Sequence, residues 1–214
     1  MKQFVTISLL CATALTLAAA PLKAPAHQKV ARKAAKSLAV NKITPQRAAA
    51  DGDLEAHQWT SIGTGRYTDD IMTAIFYVDN PTYDVEVQQA ADLTTLYRIV
   101  NPMQHHPDLQ AMIEAEGVFP TDKDYYIYFD VSDPEFVRIP LAPLGYSDED
   151  GDASFCSISG EYEMLHYSLS EAQSYAGKFD GTTISFEISG ATRIVQNCHN
   201  YLANENSALR LVLP

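Results

Sequence analysis

The chain has 214 residues and predicts an all-β fold: a mainly antiparallel sandwich or barrel with one or two short helices. Three observations carry that expectation. Apolar and polar residues alternate with a period of two through several segments, the pattern of a strand with one buried face. Turn signals rich in Gly, Pro, Asn and Asp separate those segments, with no recurring strand–helix alternation of the parallel kind. About 160 residues follow an N-terminal leader, enough for one domain with its own core.

The elements follow in order. Ile71 to Val78 is apolar on both faces and predicts a central strand. Tyr83, Val85 and Val87 alternate with Asp84, Glu86 and Gln88, and Tyr97 to Val100 adds a shorter strand. Pro107-Asp108 followed by Leu109, Met112 and Ile113, with Gly117 as a stop, predicts a short helix. Tyr125, Ile127, Phe129 and Val131 repeat the strand pattern, and Val137 to Leu141 and Ser154 to Ile158 are shorter candidates. Ser170 with Gln173 three residues later has the form of a capping box, with Gly177 as the helix stop. Asp180-Gly181 between Lys178-Phe179 and Thr182-Thr183-Ile184 signals a two-residue hairpin. Ile184, Phe186 and Ile188, then Leu209, Leu211 and Leu213, complete the alternating strands.

The first 50 residues are of other material. Lys2 precedes an apolar run from Phe4 to Ala20, and Ala18, Ala20 and Ala24-Pro25-Ala26 offer small residues for cleavage. Residues 1–26 therefore read as a signal peptide cut between 19 and 27, with no transmembrane span left in the mature chain. Leu10 stands before Cys11 where a lipoprotein needs a small residue, so lipidation is not expected. Export to the periplasm, the cell surface or the medium follows. Residues 27–50 carry Lys29, Arg32, Lys33, Lys36, Lys42 and Arg47 with no acid or aromatic, and read as a disordered basic linker. The single domain at 51–214 holds seven Lys and Arg against all 27 Asp and Glu, a formal charge of −20. Phosphate backbones would be repelled, which argues against nucleic acid as a partner.

A motif crosses the start of this domain: Trp59, then Gly63-Thr64-Gly65-Arg66-Tyr67-Thr68-Asp69-Asp70, then Tyr97-Arg98-Ile99-Val100-Asn101-Pro102. The glycines read as a tight turn ahead of the strands. This order resembles a family of secreted and surface β-domain proteins of the Bacteroidota to which no reaction is attached. The resemblance extends over Tyr125 to Pro134, Ser170 to Ile188 and Leu211 to Pro214. It implies an exported β-domain, with Trp59, Gly63, Gly65, Tyr67, Asp69, Asp70, Tyr97 and Arg98 as its structural motif. This chain departs from the family at Met103-Gln104-His105-His106, where relatives carry an aromatic or glycine.

Candidate chemistry is sparse. Asp69 and Asp70 diverge if they lie on one strand, so one of them is expected to pair with Arg98 and pin the glycine segment to the next strands. Asp148, Asp150 and Asp152 are candidate calcium ligands, but Gly151 and Ser159 break the EF-hand spacing, and a solvated turn is the plainer reading. Cys156 and Cys198 are an even pair in an exported chain, either one disulfide or two separate thiols. No histidine or cysteine set has zinc spacing, and no nucleophile elbow, phosphate loop or dinucleotide fingerprint is present. No cofactor is expected. Tyr126 and Tyr128 would share the face away from the core with Asp130, where rings beside acids suit stacking on sugars. The expectation is a non-enzymatic β-domain binding an envelope protein or glycan. The alternatives are a dedicated glycan-binding module and a glycoside hydrolase using Glu161 and Glu163, which read as sharing a strand face.

Overall fold

The computed structural model describes residues 54–69, 82–107, 123–148, 151–196, 199–202 and 208–214, all within one compact unit, 43–214. Two antiparallel sheets account for about half of these residues. The larger has the strand order β4-β3-β2-β1-β11-β8-β7. Its members are β1 (Trp59–Thr68), β2 (Tyr83–Ala90), β3 (Leu96–Val100), β4 (Tyr126–Asp130), β7 (Lys178–Phe179), β8 (Thr183–Phe186) and β11 (Leu209–Val212). The smaller runs β10-β9-β6-β5, from β5 (Ala142–Asp148), β6 (Gly151–Ser157), β9 (Thr192–Gln196) and β10 (His199–Leu202). The described helices are short: α1 (Leu169–Ser174) and 3-10 turns at Leu54–Ala56 and Pro102–His105.

One core joins the two sheets. Tyr67, Val85, Val87, Ile99, Ile127, Phe129, Ile184, Phe186, Leu209 and Leu211 fill it from the larger sheet, and Leu144, Ala153, Phe155 and Ile194 from the smaller. These are the alternate positions of each strand, so the period-two reading of β2, β4, β8 and β11 is borne out. The all-β expectation holds.

A short strap curls the larger sheet. Asp130 at the end of β4 and Arg138 exchange both backbone hydrogen bonds, N to O, at 2.9 and 3.1 Å. Val137 and Gly177, just ahead of β7, do the same at 3.0 and 3.3 Å. The strap thus bonds to edge strand β4 and to the residue that leads into edge strand β7. Its next residue, Ile139, accepts from the Ser157 amide at 2.9 Å and donates its own amide to Ser157 Oγ at 2.8 Å. Ser159 Oγ donates to the Val137 carbonyl at 2.7 Å. Segment 137–139 is therefore tied to β4, to the start of β7 and to the end of β6. Arg138 Nη2 also bonds Asp130 Oδ2 at 2.8 Å, a pair whose carboxylate side chain is 1% exposed.

Several local expectations need correction. Gly63 and Gly65 form no turn; they lie inside β1, where the register to β2 shifts between Ser61 and Gly63. A Cβ at Gly65 would stand 2.7 Å from the Val212 carbonyl oxygen and from Val87 Cγ2. Close approach of the neighbouring chains, not chain reversal, is the reason for glycine here. The capping box is Ser168 with Glu171, not Ser170 with Gln173: Glu171 N donates to Ser168 Oγ at 3.3 Å and Ser168 N to Glu171 Oε2 at 2.9 Å. Both windows fit the pattern, and the carboxylate makes the stronger, charge-assisted reciprocal bond. Gly177 pairs with Val137 rather than stopping the helix. The hairpin loop is Gly181-Thr182, one residue later than read, because Asp180 N still reaches the Thr183 carbonyl at 3.2 Å. Strands β5, β9 and β10 were not foreseen. The strand at 71–78 and the helix after Pro107 lie outside the described residues.

Removing one member of a buried ion pair strands the other, at a cost of about 3–5 kcal/mol. Asp130→Ala is therefore expected to lower the urea midpoint strongly, while Asp130→Leu with Arg138→Met recovers most of the loss. Equal midpoints for Asp130→Ala and wild type in equilibrium unfolding would contradict the role assigned to the pair.

Candidate functional site

The outer face of β2, β3 and β4 carries the residues that the opening motif singled out. Register places Arg98 opposite Gln88 on one side and opposite Tyr128 on the other. Trp59 pairs with Ala90 at the far end of β2, and its Nε1 donates to the Leu54 carbonyl at 3.2 Å, so the Leu54–Ala56 turn folds onto this face. The Arg98 guanidinium lies 4.3 Å from the Trp59 ring centroid and 3.7 Å from that of Tyr126. Its Nε donates to Gln88 Oε1 at 2.7 Å. Tyr128 completes the layer, 5.7 Å from Trp59 and 5.9 Å from Tyr126 between ring centroids. Each desolvated cation–ring contact is worth about 0.5–2 kcal/mol, so the layer stabilises the fold and fixes the rings.

Of the two aspartates expected to pair with Arg98, Asp69 does not do so. Asp69 is 3% exposed, and its charge acts on Tyr67 and Tyr83, two core residues. Arg98 projects from the other face, because alternate residues of a strand point opposite ways. Asp70 lies outside the described residues. Tyr97 faces the core, with its ring 6.1 Å from Phe179 and its hydroxyl accepting from Gln89 Nε2 at 3.0 Å. Of the motif, Trp59 and Arg98 thus build the outer layer, while Tyr67, Asp69 and Tyr97 serve the inner one.

Beside the layer a cleft of about 470 Å³ opens between the Leu54–Ala56 turn, the approach to β4 and the β5–β6 hairpin. Tyr125, Tyr126 and Tyr128 wall one side, and Leu141, Ala142 and Pro143 the other; Glu55, Lys123, Asp124 and Asp152 supply the charges. The two walls meet where the Tyr125 ring lies on Gly145: a Cβ there would come within 2.3 Å of Tyr125 Cδ2. Asp124 is held at the rim. Asn101, in the left-handed region at φ 46°, donates Nδ2 to Asp124 Oδ1 at 2.7 Å and accepts the Tyr125 amide on its own Oδ1 at 2.7 Å. The Tyr126 hydroxyl reaches Asp124 Oδ2 at 3.5 Å.

The proposed stacking pair divides. Tyr128 is 3% exposed beneath Trp59 and Tyr126, so it cannot offer a free face, whereas Tyr126 is half-buried and lines the cleft. Burial raises the pKa of both phenols, and Arg98 acts on each in the opposite sense. Glu161 and Glu163 do not share a strand face: both sit in the turn after β6, where Glu161 Oε1 accepts the Leu141 amide at 2.9 Å. Of the calcium candidates, Asp152 is exposed and lines the cleft, the Asp148 backbone pairs with Gly151, and Asp150 lies outside the described residues. Among the described residues no group of three His, Cys, Asp or Glu converges as a metal site. Cys156 is a free, buried thiol; Cys198 lies outside the described residues. Glu55, Lys123 and Asp124 were not anticipated, since only the register of β4 against β3 and the fold-back at Trp59 bring them together.

Two titration tests follow. Burial first, and Asp69 second, hold Tyr67 and Tyr83 well above the ordinary phenol value of 10.0. A folded-state pKa raised this way contributes stability that is present below about pH 10 and lost as pH rises above it. Wild type is expected to lose stability steeply above about pH 10, and Tyr67→Phe to flatten that loss; identical alkaline profiles would contradict it. Burial, reinforced by Glu161 and opposed by Arg193, pushes the Cys156 thiol up to about 12. Iodoacetamide should therefore spare Cys156 in the native protein and label it in denaturant without reductant, read by peptide mass; labelling of Cys156 only after reduction would show a disulfide instead.

No protein-family model, curated protein or solved structure matches this chain.

Proposed function

We propose that the protein is an exported, non-enzymatic β-domain that binds carbohydrate at or beyond the cell envelope, in the cleft beside Tyr126. The observation that carries this reading is the juxtaposition of an aromatic wall with polar groups held at fixed positions. The Tyr126 ring is clamped by Arg98 at 3.7 Å, and Asp124 is fixed by Asn101 at 2.7 Å. Sugars present an apolar face of C–H groups edged by hydroxyls. A ring for the first and carboxylates for the second are what such a ligand needs, and the cleft's 470 Å³ lies in the range of small-ligand sites. Preorganised groups lose little entropy on binding. The leader at 1–26, the acidic domain and the resemblance to secreted and surface β-domain proteins support an extracytoplasmic setting. Among the described residues no helix is long and apolar enough to cross a membrane.

The test is calorimetric titration of the exported protein against a panel of envelope and host oligosaccharides. At least one is expected to bind. Tyr126→Phe should keep that binding and Tyr126→Ala weaken it about three- to tenfold, the scale of one aromatic contact, with melting curves confirming that both variants fold. Binding of no sugar would overturn the carbohydrate reading. Release of a shortened sugar product, abolished by Glu161→Gln, would replace it with the hydrolase reading.

A further inference from the structure

We infer that the cleft selects cationic amino sugars over neutral and anionic ones; this rests on the carbohydrate reading and adds a substrate class to it. The cleft and its aromatic wall make the site, and its charges set the selectivity. Among the described residues that line it three are acidic, Glu55, Asp124 and Asp152, and one is basic, Lys123. They come from three separate segments: the turn before β1, the approach to β4, and β6. The fold therefore directs negative charge into the cleft from different sides.

Arg98, the cation stacked on the Tyr126 ring, is already engaged by protein groups. Arg98 is 9% exposed, its guanidinium sandwiched between Trp59 and Tyr126 and its Nε committed to Gln88. It acts on the rings. Asp124 is the best-placed of the acids. An ionised carboxylate has about four acceptor sites; Asn101 Nδ2 takes one at 2.7 Å and the Tyr126 hydroxyl approaches another at 3.5 Å. The remaining sites adjoin the edge of the Tyr126 ring, where the amine of a sugar stacked on that ring would lie. Asp152, exposed on β6, faces the same cleft. A uronate or sulfated sugar would meet this charge as repulsion, and an N-acetyl sugar would gain hydrogen bonds from its hydroxyls but no ionic attraction. The formal charge of −20 on residues 51–214 adds a long-range field of the same sign.

The experiment titrates the exported protein, in mildly acidic low-salt buffer, with three matched probes: a glucosamine tetramer, an N-acetylglucosamine tetramer and a tetragalacturonate. A short oligolysine serves as a fourth. The glucosamine tetramer is expected to bind most tightly, at least fivefold over its N-acetylated form, with tetragalacturonate undetected. Physiological salt should narrow that preference by screening. Asp152→Asn, which removes an exposed carboxylate outside the core, should reduce glucosamine-tetramer affinity about two- to fivefold and so narrow its preference over the N-acetylated tetramer. Equal binding of the two tetramers, or preference for tetragalacturonate, would overturn the charge selectivity while leaving the carbohydrate reading intact. Binding of none of the three would overturn the charge selectivity, and no binding across the oligosaccharide panel as well would overturn both. Oligolysine binding more tightly than every sugar would overturn the sugar assignment in favour of a basic peptide.

Discussion

The structure depends on the three-residue strap from Val137 to Ile139. A seven-stranded sheet has two edges, and each edge exposes unpaired backbone groups that cost free energy when buried and invite pairing with other chains when not. Here the strap bonds to β4 through Asp130 and Arg138 and to the segment before β7 through Val137 and Gly177. The Arg138–Asp130 pair lies where that backbone exchange occurs. Its carboxylate is buried, and its second oxygen accepts the Ser132 amide at 2.9 Å, so the charge is paired and hydrogen-bonded, the condition under which a buried charge is tolerated. Ser157 and Ser159 carry the same strap to the smaller sheet.

That arrangement explains why the cleft sits where it does. The strap fixes the end of β4, and the register of β4 against β3 then places Tyr128 opposite Arg98 and Tyr126 opposite Val100. Arg98 needs somewhere to put a charge on a largely buried face. It finds two ring faces and one amide oxygen, an arrangement that uses its Nε donor together with its planar faces. The rings are immobilised as a result. Through Ile139 and Ser157 the strap also positions β6, and hence the β5–β6 hairpin that forms the opposite wall. The cleft is a consequence of how the two sheets are tied together.

The sequence pattern carried the fold class and the inner faces of β2, β4, β8 and β11, because a period of two in large apolar side chains is a direct record of burial. It identified Trp59, Arg98, Tyr126 and Tyr128 as notable and misjudged what they touch. Arg98 next to two aspartates in a motif suggested an ion pair, but sequence proximity says nothing about which face a side chain takes; Asp69 turned to the core tyrosines. Gly63 and Gly65 looked like a turn because glycine permits both reversal and close packing, and only the presence of Val212 and Val87 beside Gly65 separates the two. The strap was legible merely as a short strand at 137–141. Its partners lie 8 and 40 positions away along the chain, and no local signal points to them. Glu55, Asp124 and Asp152 come from three segments and were beyond reach for the same reason.

Amide hydrogen exchange at single-residue resolution tests the central claim most directly. If the strap ties both edges of the larger sheet, the amides of Asp130, Val137, Arg138 and Ile139 exchange only with opening of the fold, as slowly as those of β2 and β3. Arg138→Met then speeds exchange at Asp130 and at Gly177 together, since both edges lose the same tie. Fast exchange of Val137 and Arg138 in the wild-type protein, at the rate of an open loop while β2 and β3 stay protected, would contradict the account.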